Sequence, residues 1–181
     1  ASTSEIYGKN QNTPWREDAD RVLGNPSIDR WSYSSSKALI EHMLFGLYHK
    51  NKIRFSTVRF FNVYGPKQNP IYVVSQTIYR ILRNESPDMY DGGNQNRCFT
   101  YIDDAIDGLI LAGSHNNAIG EAFNIGNQVP TKISDVIMIS LELINSKIKV
   151  NKVDTQKKYG STYQDISYRI PDSSKAEQLL N

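Results

Sequence analysis

Among 181 residues there is one cysteine, Cys98. That excludes an internal disulfide framework and fits a reducing compartment such as the cytoplasm. Cys98 stands in an apolar stretch, where burial is the default over reactivity. Histidine is equally sparse: His42, His49 and His115 lie far apart with no second ligand at metal-site spacing, which argues against a metal centre. No apolar run approaches the ~20 residues needed to span a bilayer, and the first residues do not resemble a signal peptide. The charge is nearly balanced at +2 and the basic residues are scattered, so there is no electrostatic footprint for nucleic acid.

Against these absences stands one pair. Tyr33 and Lys37 are four residues apart in Arg30-Trp31-Ser32-Tyr33-Ser34-Ser35-Ser36-Lys37, downstream of the polar cluster Ser2-Thr3-Ser4-Glu5. On a helix, positions i and i+4 share a face, so the Lys37 ammonium can sit beside the Tyr33 phenol. A phenol that titrates near pH ~10 in water becomes a usable acid or base near neutrality when a cation stabilises its phenolate. The same spacing also occurs in ordinary helices, where Tyr packs at the edge of the core and Lys reaches into water.

The chain reads as alternating strands and helices. Residues 1–8 read as the end of a strand entering a loop, and 9–29 are polar and turn-rich, with Pro14, Gly24 and Pro26 as breakers. From Trp31 to Lys50 apolar residues recur at helical spacing through Leu39, Met43 and Leu47. Ile53 to Phe60 reads as a buried strand ending at the turn Asn62-Val63-Tyr64-Gly65-Pro66. Helices are expected over 72–82 and 134–144 and from Ser173, and strands over 88–91, 97–102 and 122–125. Asp103 is the expected N-cap of a helix running through Leu111, with Asp104 in its first turn. Residues 154–168 read as polar and without an assigned element. This rhythm favours an α/β layered architecture.

Taken in order, Thr3-Ser4-Glu5-Ile6-Tyr7-Gly8, Tyr33 to Lys37, Arg59-Phe60-Phe61-Asn62-Val63-Tyr64-Gly65-Pro66, Asp91-Gly92-Gly93 and Arg97 to Asp104 resemble the extended short-chain dehydrogenase/reductase family of nucleotide-sugar enzymes. The tail, Tyr159 to Asp165 followed by Arg169-Ile170-Pro171-Asp172, and the Arg30-Trp31 pair are similar to the subgroup of UDP-glucuronic acid decarboxylases and UDP-apiose/xylose synthases. A tail of this kind also suits related epimerases.

The resemblance implies the C-terminal part of a Rossmann domain, a doubly wound parallel sheet, plus a smaller α/β substrate-binding lobe. Residues 1–66 would form the second half of the NAD-binding domain. Residues 67–181 would form mainly the nucleotide-sugar lobe, with 99–125 returning to the Rossmann domain. The family's glycine-rich turn for the dinucleotide pyrophosphate has no match here, since Gly92-Gly93 comes too late, and the first half of that domain is therefore expected to be missing. NAD is the implied cofactor, a UDP-sugar the implied substrate, and a homodimer through the Tyr33 helix the implied assembly.

The family also implies roles. Thr3 would hydrogen-bond the sugar's C4 hydroxyl, Tyr33 would remove its proton, and Lys37 would bind the nicotinamide ribose and lower the Tyr33 pKa. A hydroxyl at Thr3 would also serve simply as a turn cap. Phe60 matches a position whose backbone meets the nicotinamide. The Ser4-Glu5 pair matches decarboxylases, whereas dehydratases carry Asp-Glu and epimerases small or neutral residues. A β-keto acid loses carbon dioxide readily, so no protonated Asp is needed, and Glu5 would position the sugar or relay protons. Arg169 would recognise the substrate carboxylate, Arg97 the UDP diphosphate and Asn62 the sugar. Tyr163, Gln164 and Asp165 would line the sugar pocket or shape the loop carrying Arg169. The implied activity is C4 oxidation and decarboxylation of UDP-glucuronic acid, with 4-epimerisation, 4,6-dehydration or a non-catalytic nucleotide sensor as alternatives.

Overall fold

The computed structural model describes residues 1–51, 53–160 and 164–180. In chain order, strand β1 (Ser2–Thr3) enters a 3-10 turn over Ser4–Tyr7, followed by helix α1 (Arg30–His49), β2 (Ser56–Phe60), β3 (Val63–Tyr64) and α2 (Val73–Leu82). Next come β4 (Asp88–Tyr90), β5 (Asn96–Cys98), β6 (Thr100–Tyr101), α3 (Ile102–Ser114) and β7 (Glu121–Ile125). The chain continues with β8 (Pro130–Lys132), α4 (Ile133–Leu143), β9 (Asn151–Val153), α5 (Thr155–Tyr159), β10 (Tyr168–Arg169) and α6 (Ser174–Leu180).

The main sheet is parallel, in the order β1-β2-β7, with Ser2 opposite Arg59, Thr3 opposite Phe60 and Val58 opposite Phe123. The central residues of β2 and nearly all of β7 are buried, as expected for strands covered by crossover helices on both faces. Val58, Phe123 and Ile125 pack with Ala112 of α3 and Leu180 of α6. A second core joins Ile6, Tyr7, Trp15, Trp31, Ala38, Phe61 and Ile166, with Tyr7 and Trp15 stacked at 4.9 Å. A third, Ile81, Ile137 and Leu141, lies between α2 and α4. The remaining strands form small sheets: β3 with β6, β4 with β9, and β5 between β10 and β8.

Four local features differ from the sequence reading. The stretch 97–102 is two strands in different sheets, because the Thr100 hydroxyl donates to the Phe61 carbonyl and turns the chain toward β3. Helix α3 starts at Ile102 with Tyr101 as its extended N-cap, so Asp103 lies inside the first turn instead of capping it. The apolar stripe Leu39, Met43 and Leu47 faces outward, and α1 buries Trp31, Ser34, Ala38 and Glu41. The polar stretch 154–168 holds α5 and the start of β10, and β8 and β9 are short strands that no local sequence signal announces.

Candidate active site

The C-terminal ends of β1 and β2 open beside α1 onto a cleft of about 880 Å³. At β1, Thr3 has extended backbone and its Oγ1 accepts the Glu5 N–H at 3.2 Å, so it caps the 3-10 turn that presents Ser4 and Glu5. A threonine hydroxyl has one proton and two lone pairs, so this acceptance leaves its own O–H available to a ligand oxygen. At the end of β2, Phe60 lines the cleft and Asn62 takes a left-handed conformation at φ 38°, which Asn tolerates better than most residues. Gly65 follows, where a Cβ would lie 2.4 Å from Cγ2 of Ile102; only glycine lets this turn pack against the start of α3.

Helix α1 contributes Arg30, Tyr33 and Lys37 at helical spacing, and all three line the cleft. Tyr33 is half exposed. The Lys37 ammonium lies 6.0 Å from the Tyr33 ring centroid and donates to the Ala1 carbonyl at 3.0 Å. The opposite wall is apolar, built from Ile102, Ile106 and Leu109 of α3.

At one end sits a cluster of three guanidiniums and two carboxylates. Glu5 is gripped by Arg30, at 3.2 Å and 3.3 Å, and by Arg169. Asp165 receives both contacts of Arg97 at 3.0 Å, and also lies 3.5 Å from Arg30 and 3.9 Å from Arg169. Three cations against two anions leave one positive charge in excess. Burial pushes the Arg169 guanidinium down to about 10, and Arg97 and Arg30 add to that while Glu5 opposes it. Arg97 is lowered for the same first reason, burial, against the pull of Asp165. The buried Nε atoms of Arg30 and Arg169 have no partner. Arg169 stays charged at neutral pH, so the cluster keeps its positive excess there.

Thr3, Ser4, Glu5, Tyr33, Lys37, Phe60, Asn62 and Arg169 are thus brought to one cleft. Arg97 stands behind it, buried, with its other donors on the Asn96 and Ser167 carbonyls. Tyr163 lies outside the described residues. Gln164 accepts the Trp31 indole N–H at 3.0 Å and ties its loop to α1. Arg30 and Gln68 are among the cleft residues with no sequence-derived role. Arg30 was legible from its position three residues before Tyr33 and seven before Lys37, on the same face. Gln68, whose amide donates to the Val63 carbonyl at 2.7 Å, carried no signal beyond its place after the Gly-Pro turn.

Among the described residues no group of three or more His, Cys, Asp or Glu could hold a metal, and no helix is long and apolar enough to cross a membrane.

Comparison with known proteins places this geometry. The chain is 36% identical to UDP-N-acetyl-alpha-D-glucosaminuronate decarboxylase of Bacillus cytotoxicus, with 99% of the chain and 56% of that protein covered. It is 33% identical to the bifunctional polymyxin resistance protein ArnA of Wigglesworthia glossinidia brevipalpis, covering 99% of the chain and 31% of that protein. The crystal structure of UDP-glucuronic acid 4-epimerase from Bacillus cereus, in complex with UDP-glucuronic acid and NAD, superposes with a TM-score of 0.83 at 31% identity, over 99% of the chain and 53% of that structure. The chain thus spans about half the length of two of these relatives and a third of the other. Its α/β architecture is the Rossmann type of these enzymes. The model of the NAD dependent epimerase/dehydratase family matches residues 1–126, and the chain belongs to that family.

Proposed function

We propose that this chain carries the substrate-oxidising site of an NAD-dependent UDP-sugar enzyme that oxidises C4 of UDP-glucuronic acid and decarboxylates the product. The observation that carries the uronic acid is the excess positive charge of the Arg30, Arg97, Arg169, Glu5 and Asp165 cluster at the cleft. A neutral hexose would leave that charge unmatched, whereas a C6 carboxylate matches it with hydrogen bonds to the same guanidiniums.

The residues divide the work. Tyr33 takes the proton of the C4 hydroxyl while the free Thr3 O–H donates to the same oxygen and holds it in place. Bound NAD supplies the acceptor for the hydride that leaves C4. Arg169 and Arg30 hold the carboxylate beside the new ketone, so that the C5–C6 bond breaks, its electron pair passes through C5 onto the C4 oxygen, and carbon dioxide departs. Protonated Tyr33 and Thr3 lie by that oxygen to receive the charge. Glu5, at the mouth of the cluster, relays a proton to C5. Arg97, which the resemblance assigned to the UDP diphosphate, is buried with its Nη donors on Asp165 and two carbonyls, so it instead holds Asp165 and through it the loop leading to Arg169, while Asn62 contacts the sugar.

The residues present suit NAD at its nicotinamide end. Lys37 and Tyr33 offer an ammonium and a hydroxyl to ribose oxygens, and Phe60 with the α3 wall offers an apolar surface to a flat ring. Among the described residues there is no glycine-rich turn into a helix for the pyrophosphate. The 181-residue chain alone is therefore expected to retain no NAD and to be inactive. Stoichiometric NAD in the purified chain, read by absorbance after acid release, contradicts that.

The exposed stripe Leu39, Met43 and Leu47 on α1 supports pairing of two copies through this helix, and the single buried thiol Cys98 supports a cytoplasmic setting. The reaction is tested on the full-length protein with UDP-glucuronic acid and NAD. The expected products are carbon dioxide with, by mass spectrometry, a UDP-4-ketopentose and NADH, or a UDP-pentose where the hydride returns to C4. UDP-galacturonic acid of unchanged mass identifies a 4-epimerase instead.

A further inference from the structure

Tyr33, Lys37 and Glu41 follow one another at four-residue steps and so stack along one face of α1. The first two line the cleft. Glu41 lies one turn beyond, only 3% exposed. Its carboxylate accepts the Ser2 hydroxyl and meets Arg59 through Nε at 3.2 Å to both oxygens and through Nη2 at 2.6 Å. Ser2 and Arg59 are register partners across β1 and β2, and the next residue of each strand, Thr3 and Phe60, lines the cleft. One carboxylate on the helix therefore ties together the two strands that carry the rest of the site. The remaining arm of Arg59 donates to the Tyr7 hydroxyl at 2.7 Å and the Glu17 carbonyl at 2.8 Å, and Tyr7 donates to Asn124 of β7 at 2.7 Å.

A buried ion pair is a poor source of net stability, because desolvation offsets its attraction and apolar residues of similar size often do as well. What such a pair supplies is direction: a fixed carboxylate accepting donors from two neighbouring strands holds α1 at one height against the sheet. We propose that Glu41, with Ser2 and Arg59, is a positioning residue that sets Tyr33 and Lys37 against Thr3, so that loosening it slows turnover while leaving substrate affinity in place. This rests on the oxidation proposed for the site, and a misplacement of about 1 Å there costs up to ~10²-fold in rate.

The test uses the full-length enzyme. Glu41→Gln strips Arg59 of its counterion and risks misfolding, so the deciding variant is Ser2→Ala, which removes one hydroxyl. Ser56→Ala is the matched control: Ser56 opens the same β2 strand at its other end, and its hydroxyl donates to the Ala112 carbonyl at 2.6 Å. Ser2→Ala is expected to lower kcat ~10-fold with KM within about twofold of wild type, Ser2→Thr to restore most of it, and Ser56→Ala to leave kcat in place. Without substrate, amide hydrogen exchange over residues 33–41 is expected to speed up in Ser2→Ala and not in Ser56→Ala. Unchanged kcat in Ser2→Ala, an equal loss in Ser56→Ala, or unchanged exchange overturns the inference. If the wild-type protein turns over no UDP-sugar, the proposed reaction fails, and the exchange measurement alone decides the positioning role.

Discussion

Two ionic clusters flank Thr3 in the chain, a buried one reached through Ser2 and a partly buried one reached through Glu5, and they are built to opposite rules. In the Ser2, Glu41, Arg59 and Tyr7 network one carboxylate meets one guanidinium, and Nε, Nη1 and Nη2 of Arg59 all have acceptors. In the cluster at the cleft, three guanidiniums share two carboxylates, and two buried Nε groups have no partner. The first is complete within the protein and serves geometry. The second carries one positive charge in excess, which the proposed reaction assigns to a substrate carboxylate. Burial of charge alone does not mark a binding site; the balance of charges and donors does.

The sharpest way to break this comparison is to make the same substitution in both clusters. Arg59→Met leaves Glu41 buried without its counterion and is expected to destabilise the fold by about 3–5 kcal/mol in urea unfolding. Adding Glu41→Met should return most of that. Arg169→Met removes the surplus charge, leaves Glu5 paired with Arg30, and is expected to change stability by no more than about 1 kcal/mol. Similar losses from the two arginines contradict the distinction.

A smaller effect comes from Tyr7, in the balanced network. Burial first of all pushes its phenol up to about 12, against the favourable pull of Arg59. Unfolded, the phenol ionises near ~10, so between those values the unfolded state binds fewer protons and stability falls as pH rises. The expected loss is about 2–3 kcal/mol across that window. Burial likewise raises the Cys98 thiol to about 11 and adds a loss of the same sign, beginning near pH ~9. Urea melts at several alkaline pH values check this, and Tyr7→Phe should flatten the upper part of the decline. A decline as steep in Tyr7→Phe as in wild type contradicts the assignment to Tyr7.

Much of this architecture was legible in the sequence where a signal is local. The helices α1 to α4 show as long periodic runs, and Thr3, Tyr33, Lys37, Asn62 and Arg169 stand in motifs whose order identifies the family. What was not legible depends on pairing across the chain. Strand β10 is two residues long and exists because it pairs with β5, more than seventy residues earlier. Arg30 meets Asp165 across 135 positions, so the shared anion deficit of the cluster cannot be read from either neighbourhood. On α1 the apolar stripe that announces the helix points outward, while its buried face carries Ser34 and Glu41, residues a pattern search assigns to solvent. Polar residues mislead such a search wherever a partner on another element satisfies them.

The central claim is that the surplus charge at Arg169 receives a substrate carboxylate. It is tested most directly by the affinities of full-length wild type and Arg169→Met for UDP-glucuronic acid and UDP-glucose, measured by titration calorimetry. The account predicts that wild type binds the uronic acid at least ~10-fold more tightly than the neutral sugar and that Arg169→Met loses this preference while still binding UDP-glucose. Equal affinity of wild type for the two sugars, or an unchanged preference in Arg169→Met, contradicts it.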